Sequence, residues 1–259
     1  MAESAMARPR HDSGPRGGHY GGEVAIPLSL GVPRSRGPQS LLAELLSGSE
    51  LLSGSQDSSP AAGGALGPRV VPASALLDAV GTDAGRVIVG LDVDPAVLRT
   101  SEQASYEAVR FHVDCPAGQL GDAVALRLPS PLAVFVTVDG SDDPGLAETA
   151  QQLADAGRIP GLASGHTIGE VADFLAVLAH ADVGYVARAR DTAEVLALLS
   201  GTVASLRGDD VRAALAAPDS TRLASLIPEA AEAVREVLLG VEVRDPALVA
   251  RELADAGLR

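Results

Sequence analysis

Leu132-Ala-Val-Phe-Val-Thr-Val138 is apolar at every position but Thr137, with no in-and-out alternation. Short, valine-rich and bounded by turn residues, the run reads as a strand buried on both faces. Such strands belong to sheets covered by helices on both sides, which are mainly parallel. Downstream comes the polar turn Asp139-Gly-Ser-Asp-Asp-Pro-Gly145, then a helix over 146–156 that stops at Gly157. The pattern then repeats: strand 159–163, helix 168–181, strand 183–187, helix 192–199, and further helix from Asp209 and over 228–239. An amphipathic helix over 246–257 closes the sequence.

Upstream, the spacing predicts a helix over 73–80, an apolar strand over 86–91, and a second strand or a helix end over 106–113. Strands alternating with helices mean parallel strands under covering helices. Periodicity leaves a (β/α) barrel and a layered α/β fold open.

Residues 1–70 differ in composition, being rich in Gly, Ser, Pro and Arg, which predicts a flexible tract with at most one strand over 23–30. It holds a short duplication, Glu44-Leu-Leu-Ser-Gly-Ser49 and Glu50-Leu-Leu-Ser-Gly-Ser55, too brief for a solenoid repeat. The α/β domain is therefore expected over 71–259, with a helical C-terminal part from about residue 209. The N-terminal arginines have no apolar stretch after them, unlike a secretory signal.

Composition excludes whole chemistries. All 20 basic residues are arginine, so Schiff-base, Walker-type and general-base lysines are absent, and asparagine is missing too. The core must be aliphatic, because the chain holds no Trp, three Phe and three Tyr. A net charge of −14 repels polyanions and argues against nucleic acid or an anionic membrane as partner. The single cysteine, Cys115, rules out an internal disulfide and a cysteine zinc cluster, and fits a cytoplasmic protein.

Several short motifs carry possible chemistry. Ser164-Gly-His-Thr-Ile-Gly-Glu170 has the strand-turn-helix setting of a nucleophile elbow, with Thr167 where serine would stand and no suitably placed histidine. Asp92 and Asp94, at the end of a strand, read either as a phosphoryl or metal pair or as helix caps, and capping is favoured. His112-Val-Asp-Cys115 has metal-ligand residue types, but without a second cluster no metal site is expected. In a barrel, Asp92, Asp139, His166, Arg188 and Arg207 all fall beyond expected strands, where barrels keep their chemistry.

The longest pattern runs from Leu128-Pro-Ser-Pro131 through Val138-Asp-Gly140 to Pro144-Gly-Leu-Ala-Glu148, and on to Val186-Ala-Arg-Ala-Arg190 and its helix. In order and type these pieces resemble the crotonase (enoyl-CoA hydratase/isomerase) superfamily over about residues 86–215. The resemblance implies a spiral of ββα units with C-terminal helices. It also implies an acyl-CoA thioester substrate with no further cofactor and no metal, and a trimer, a hexamer or a subunit of a hetero-complex. It places Gly145 as an oxyanion donor and Glu148 and Glu170 as the catalytic acid/base pair, since hydrating an enoyl thioester needs two carboxylates and two N–H groups on the enolate oxygen. The glycine loop is reduced to Ser141-Asp-Asp-Pro-Gly145, and Leu91-Asp-Val-Asp-Pro-Ala-Val-Leu98 replaces the second oxyanion segment. Two alternatives therefore accompany the enzyme: a non-catalytic subunit of the same fold, and a (β/α)-barrel lyase or isomerase.

Overall fold

The computed structural model describes residues 40–49, 64–137 and 144–258. The expectations placed on 1–39, 50–63 and 138–143, including the strand over 23–30 and Asp139, lie outside them. The described chain is α/β. Its strands are β1 (Leu46–Ser47), β2 (Arg69–Pro72), β3 (Asp83–Gly90), β4 (Ser105–Pro116), β5 (Leu132–Thr137), β6 (Ile159–Leu162), β7 (Tyr185–Ala189) and β8 (Leu238–Val243). All pair in parallel in one eight-stranded sheet, with β1 beside β8 and the others in chain order. The two edges meet where Leu46 bridges Leu66 and Ser49 bridges Val70, so the sheet is a nearly closed, barrel-like ring.

Helices α1 (Ala73–Asp78), α2 (Pro95–Thr100), α3 (Leu120–Ala125), α4 (Leu146–Asp155) and α5 (Ile168–Leu178) each fill one crossover. The crossover from β7 to β8 carries four, α6 (Thr192–Arg207), α7 (Val211–Ala216), α8 (Ser220–Ala224) and α9 (Pro228–Val237), and α10 (Pro246–Asp255) follows β8. From Arg69 onward every strand leads into helix, so the ββα units implied by the crotonase resemblance do not form among the described residues. The alternation of strand and helix matches the barrel alternative instead. Among the described residues no helix is long and apolar enough to cross a membrane.

Strand alternation sorts the side chains. On β5, Leu132, Val134 and Val136 face outward to the helices around β2–β5, while Ala133 and Phe135 face the interior. The other outer layer, around β6–β8, packs Tyr185, Ala187, Val241 and Val243 against α5, α6, α9 and α10. Inside the ring Ala133, Phe135 and Val186 pack with Ile159 and Leu239. Two glycines shape it. A Cβ on Gly161 would lie 2.6 Å from the Phe135 ring, and one on Gly240 would lie within 2.3 Å of an Arg110 Nη. The space these strands give up is filled by large side chains from β4 and β5.

The N-terminal tract supplies more of the ring than its composition suggests. Leu41, Leu42, Leu45 and Leu46 are buried, and the first copy of the duplicated hexapeptide contains β1. The helix expected over 228–239 ends at Val237, and Leu238 starts β8 with no intervening loop.

Candidate active site

In parallel barrels chemistry gathers at the carboxyl ends of the strands, where successive βα turns surround one opening. Here the inward-facing side chains at that end are polar on β4, β7 and β8. Alternation along β4 turns Arg110, His112 and Asp114 inward from bottom to top, and Cys115 outward into the aliphatic layer. Arg188 on β7 pairs in register with Glu242 on β8, and Glu242 with Ser47 on β1. Three strands, β4 on one side of the ring and the neighbours β7 and β8 on the other, thus deliver five titratable side chains that meet across the interior.

These groups form a chain of contacts. Arg188 binds both oxygens of Asp114 through its two Nη atoms, one of them at 3.1 Å, and donates from Nε to Glu242 Oε2 at 3.2 Å. Glu242 Oε2 lies 3.6 Å from His112 Nδ1, which is too long for a hydrogen bond and leaves that buried nitrogen unpaired. His112 Nε2 accepts from Arg110 Nε at 3.0 Å, and Arg110 Nη1 donates to the Leu239 carbonyl at 3.0 Å. Phe135 supports the whole, with the Arg188 guanidinium 3.9 Å above its ring and the His112 ring edge-on at 5.4 Å.

Burial and charge set the protonation states. Arginine keeps all its protons, so the His112 Nε2 that accepts from Arg110 carries the lone pair and the ring proton sits on Nδ1, facing Glu242. Burial pulls the His112 pKa below its ordinary value; Glu242 opposes this, while Arg110 and Arg188 reinforce it. Burial pushes Glu242 upward, but His112 and Arg188 together hold it below the usual carboxylate range. Arg188 is drawn down by burial, yet Asp114 and Glu242 raise it overall. Side-chain exposure falls from 62% at Asp114 through 30% at Arg188 and 19% at Glu242 to 3% at His112, so the chain descends from the opening into the core.

Ser47 joins the β7 and β8 residues. Its hydroxyl is buried and unpaired, and alternation places it on the inner face beside Glu242. Across the opening, Asp92 after β3 accepts from the Ser74 hydroxyl and, at 2.9 Å, from the Ser74 N–H.

The residues singled out from the crotonase resemblance lie outside the ring. Gly145 is the N-cap of α4 and Glu148 stands in its first turn, accepting from Gln152 Nε2 at 3.4 Å. Glu170 is committed to a capping box with Thr167: its carboxylate accepts from the Thr167 N–H and hydroxyl, both at 2.7 Å, while Thr167 Oγ1 accepts from the Glu170 N–H at 3.3 Å. The Thr167 N–H and hydroxyl accordingly hold Glu170 below the usual carboxylate range. Thr167 is a helix cap, not a nucleophile. The Ala96 and Val97 N–H groups, near the expected second oxyanion donor, are bound by the Asp94 side chain at 2.7 Å and its carbonyl at 2.9 Å. Asp94 caps α2, as the capping reading has it.

Of the positions named for a barrel, Arg188 is central and Asp92 is at the rim. His166 is in the turn after β6, with Nδ1 3.9 Å from Glu170 Oε2. Arg207 ends α6, ion-paired to Asp209 at 3.2 Å and far along the chain from any strand end. Glu242 was hidden because it falls between the helices expected over 228–239 and 246–257, where no strand is expected, and Ser47 because its segment reads as a loose tract. The period-2 spacing of Arg110, His112 and Asp114 was the available signal. The same alternation separates Cys115 from His112 and Asp114, and no group of metal-binding side chains occurs among the described residues.

The chain matches no protein-family model, and no curated protein or solved structure is detectably similar to it.

Proposed function

We propose that the chain is a (β/α)-barrel enzyme of lyase or isomerase type that removes and returns a proton beside a carbonyl group. The observation that carries the reading is the convergence of Arg188, Glu242 and His112 from three strands at the carboxyl end of the ring. Proton abstraction next to a carbonyl needs a base at the carbon and a positive donor at the oxygen. Glu242 takes the proton as the C–H bond breaks, the electron pair moves onto the carbonyl oxygen, and Arg188 stabilises the enolate. Returning the proton to a different carbon isomerises the substrate; loss of a leaving group completes a lyase reaction.

Asp114, the most exposed member, holds the Nη edge of Arg188 that a substrate would use. An anionic substrate replacing it keeps the guanidinium neutralised and excludes water from Glu242, and that desolvation raises the Glu242 pKa toward the range of an effective base. Behind Glu242, the His112 Nδ1–H faces the same carboxylate and orients it toward the opening.

Small 2-oxo acids fit this scheme, and so does the thioester of an acyl-CoA, which also forms a stabilised enolate. The test is exchange of the α-proton in D2O, followed by proton NMR over a panel of 2-oxo acids and acyl-CoA thioesters. Wild-type protein exchanges at least one member, and E242Q slows it by about 10²–10⁴-fold. Absence of exchange across the panel, or full exchange by E242Q, overturns the reading. One observation favours the second reading, a non-catalytic subunit: Arg188 is already bound by two carboxylates. That reading is supported if the substitution changes stability alone.

A further inference from the structure

The opposite end of the ring holds a second concentration of charge. A cavity of about 120 Å³ opens there, lined by Arg86 of β3, Arg110 of β4 and Arg235 of α9, with Glu44 as the single carboxylate in the lining. Pro68, Ile88 and Leu239 supply apolar wall. Glu44 lies at 4.0 Å from Arg86, and both side chains are more than half exposed, so this pair screens little of the positive field inside.

Arg110 is the unusual member. Its partners, His112 Nε2 and the Leu239 carbonyl, are both neutral acceptors, and no carboxylate forms a salt bridge with it among the described residues. Its other Nη lies over Gly240, where any side chain would displace it. Burial lowers its pKa to about 10, which still leaves it charged at neutral pH. A partly buried cation held on neutral acceptors favours a counter-ion from outside, and the cavity gives one access. The volume exceeds the roughly 10–15 Å³ of such space that one water requires.

We infer that the amino-terminal end of the ring binds a phosphate group through Arg86, Arg110 and Arg235. Guanidinium groups approaching from two strands and a helix suit the separate faces of a tetrahedral oxyanion better than a planar carboxylate. The site lies at the end of the ring remote from Asp114 and does not depend on the chemistry proposed there.

Thermal unfolding and calorimetric titration of the full chain test this with inorganic phosphate, phenyl phosphate and acetate at constant ionic strength. Saturating phosphate raises Tm by about 2–4 °C, and R86Q and R235Q each weaken binding about tenfold. Phenyl phosphate binding as well as inorganic phosphate identifies the phosphate head of a larger molecule; binding of inorganic phosphate alone identifies the free ion. A Tm rise matched by sodium chloride, equal binding of acetate, or unchanged affinity in both variants overturns the inference.

Discussion

Two sets of strands fill the ring interior in different ways. Around β2, β3, β5 and β6 the inner wall is made of Val70, Ile88, Ala133, Phe135, Ile159 and Gly161, which need no partners beyond each other. Around β4, β7 and β8 it is made of Arg110, His112, Asp114, Arg188 and Glu242, each dependent on the next. An apolar wall tolerates substitution of similar volume, whereas a polar chain fails when one link is removed and its neighbour is left buried and unpaired. That dependence is costly for stability alone, which is why the polar set is the candidate site.

Filling the gap at Gly161 has the largest effect. Gly161→Val drives a side chain into the Phe135 ring and tilts the support beneath Arg188. A loss of about 3 kcal/mol in urea unfolding is expected; a loss near zero shows that Phe135 is not held where the account needs it. Next comes Arg188→Met, which strands Glu242 and Asp114. The expected loss is about 2 kcal/mol, below the roughly 3–5 of a fully buried pair because Arg188 retains solvent contact. Combining it with Glu242→Leu restores part of the loss, and strict additivity would show that the two residues are not coupled.

The third effect is a pH dependence. The unfolded chain protonates its histidine as pH falls below 6.5, whereas folded His112 stays neutral further down. Its contribution is therefore complete above pH 6.5 and declines as pH falls, by up to about 1.4 kcal/mol per pH unit, until the folded ring titrates. H112Q removes that slope. Glu242 acts lower: its depressed pKa stabilises the fold above the ordinary 4.5, and this is lost as pH falls through the folded value. An unchanged slope in H112Q contradicts the burial of a neutral imidazole. The smallest effect lies outside the ring, where Thr167→Ala breaks the α5 capping box for about 1 kcal/mol. It leaves exchange at the opening intact, unless Glu170 has the catalytic part suggested by the resemblance.

What was legible follows from which signals are local. The strands β3, β5, β6 and β7 are short apolar runs between turns, and α4, α5 and α10 have clear starts and stops, so the α/β alternation was readable directly. Thr167 and Asp94 declare themselves as caps by position. β1 was not readable, because a two-residue strand among Ser and Gly becomes a strand only when β8 and the segment before β2 pair with it. β8 was masked by the helix that runs straight into it. The candidate site suffered from the same cause: its members come from β4, β7 and β8, distant in sequence, and only closure of the ring brings them together. The collinear crotonase-like pieces carried no such three-dimensional constraint, and Glu148 and Glu170 sit at helix starts, where acidic residues are favoured for ordinary electrostatic reasons.

The most direct test is the ¹⁵N NMR spectrum of the His112 imidazole in full-length protein between pH 5 and 7, assigned by comparison with H112Q. The account predicts a ring that titrates below the ordinary 6.5 and, when neutral, has a protonated Nδ1 and an unprotonated Nε2. A ring that titrates at or above 6.5, or a neutral ring with its proton on Nε2, would contradict the Arg110–His112–Glu242 arrangement on which the proposed proton transfer rests.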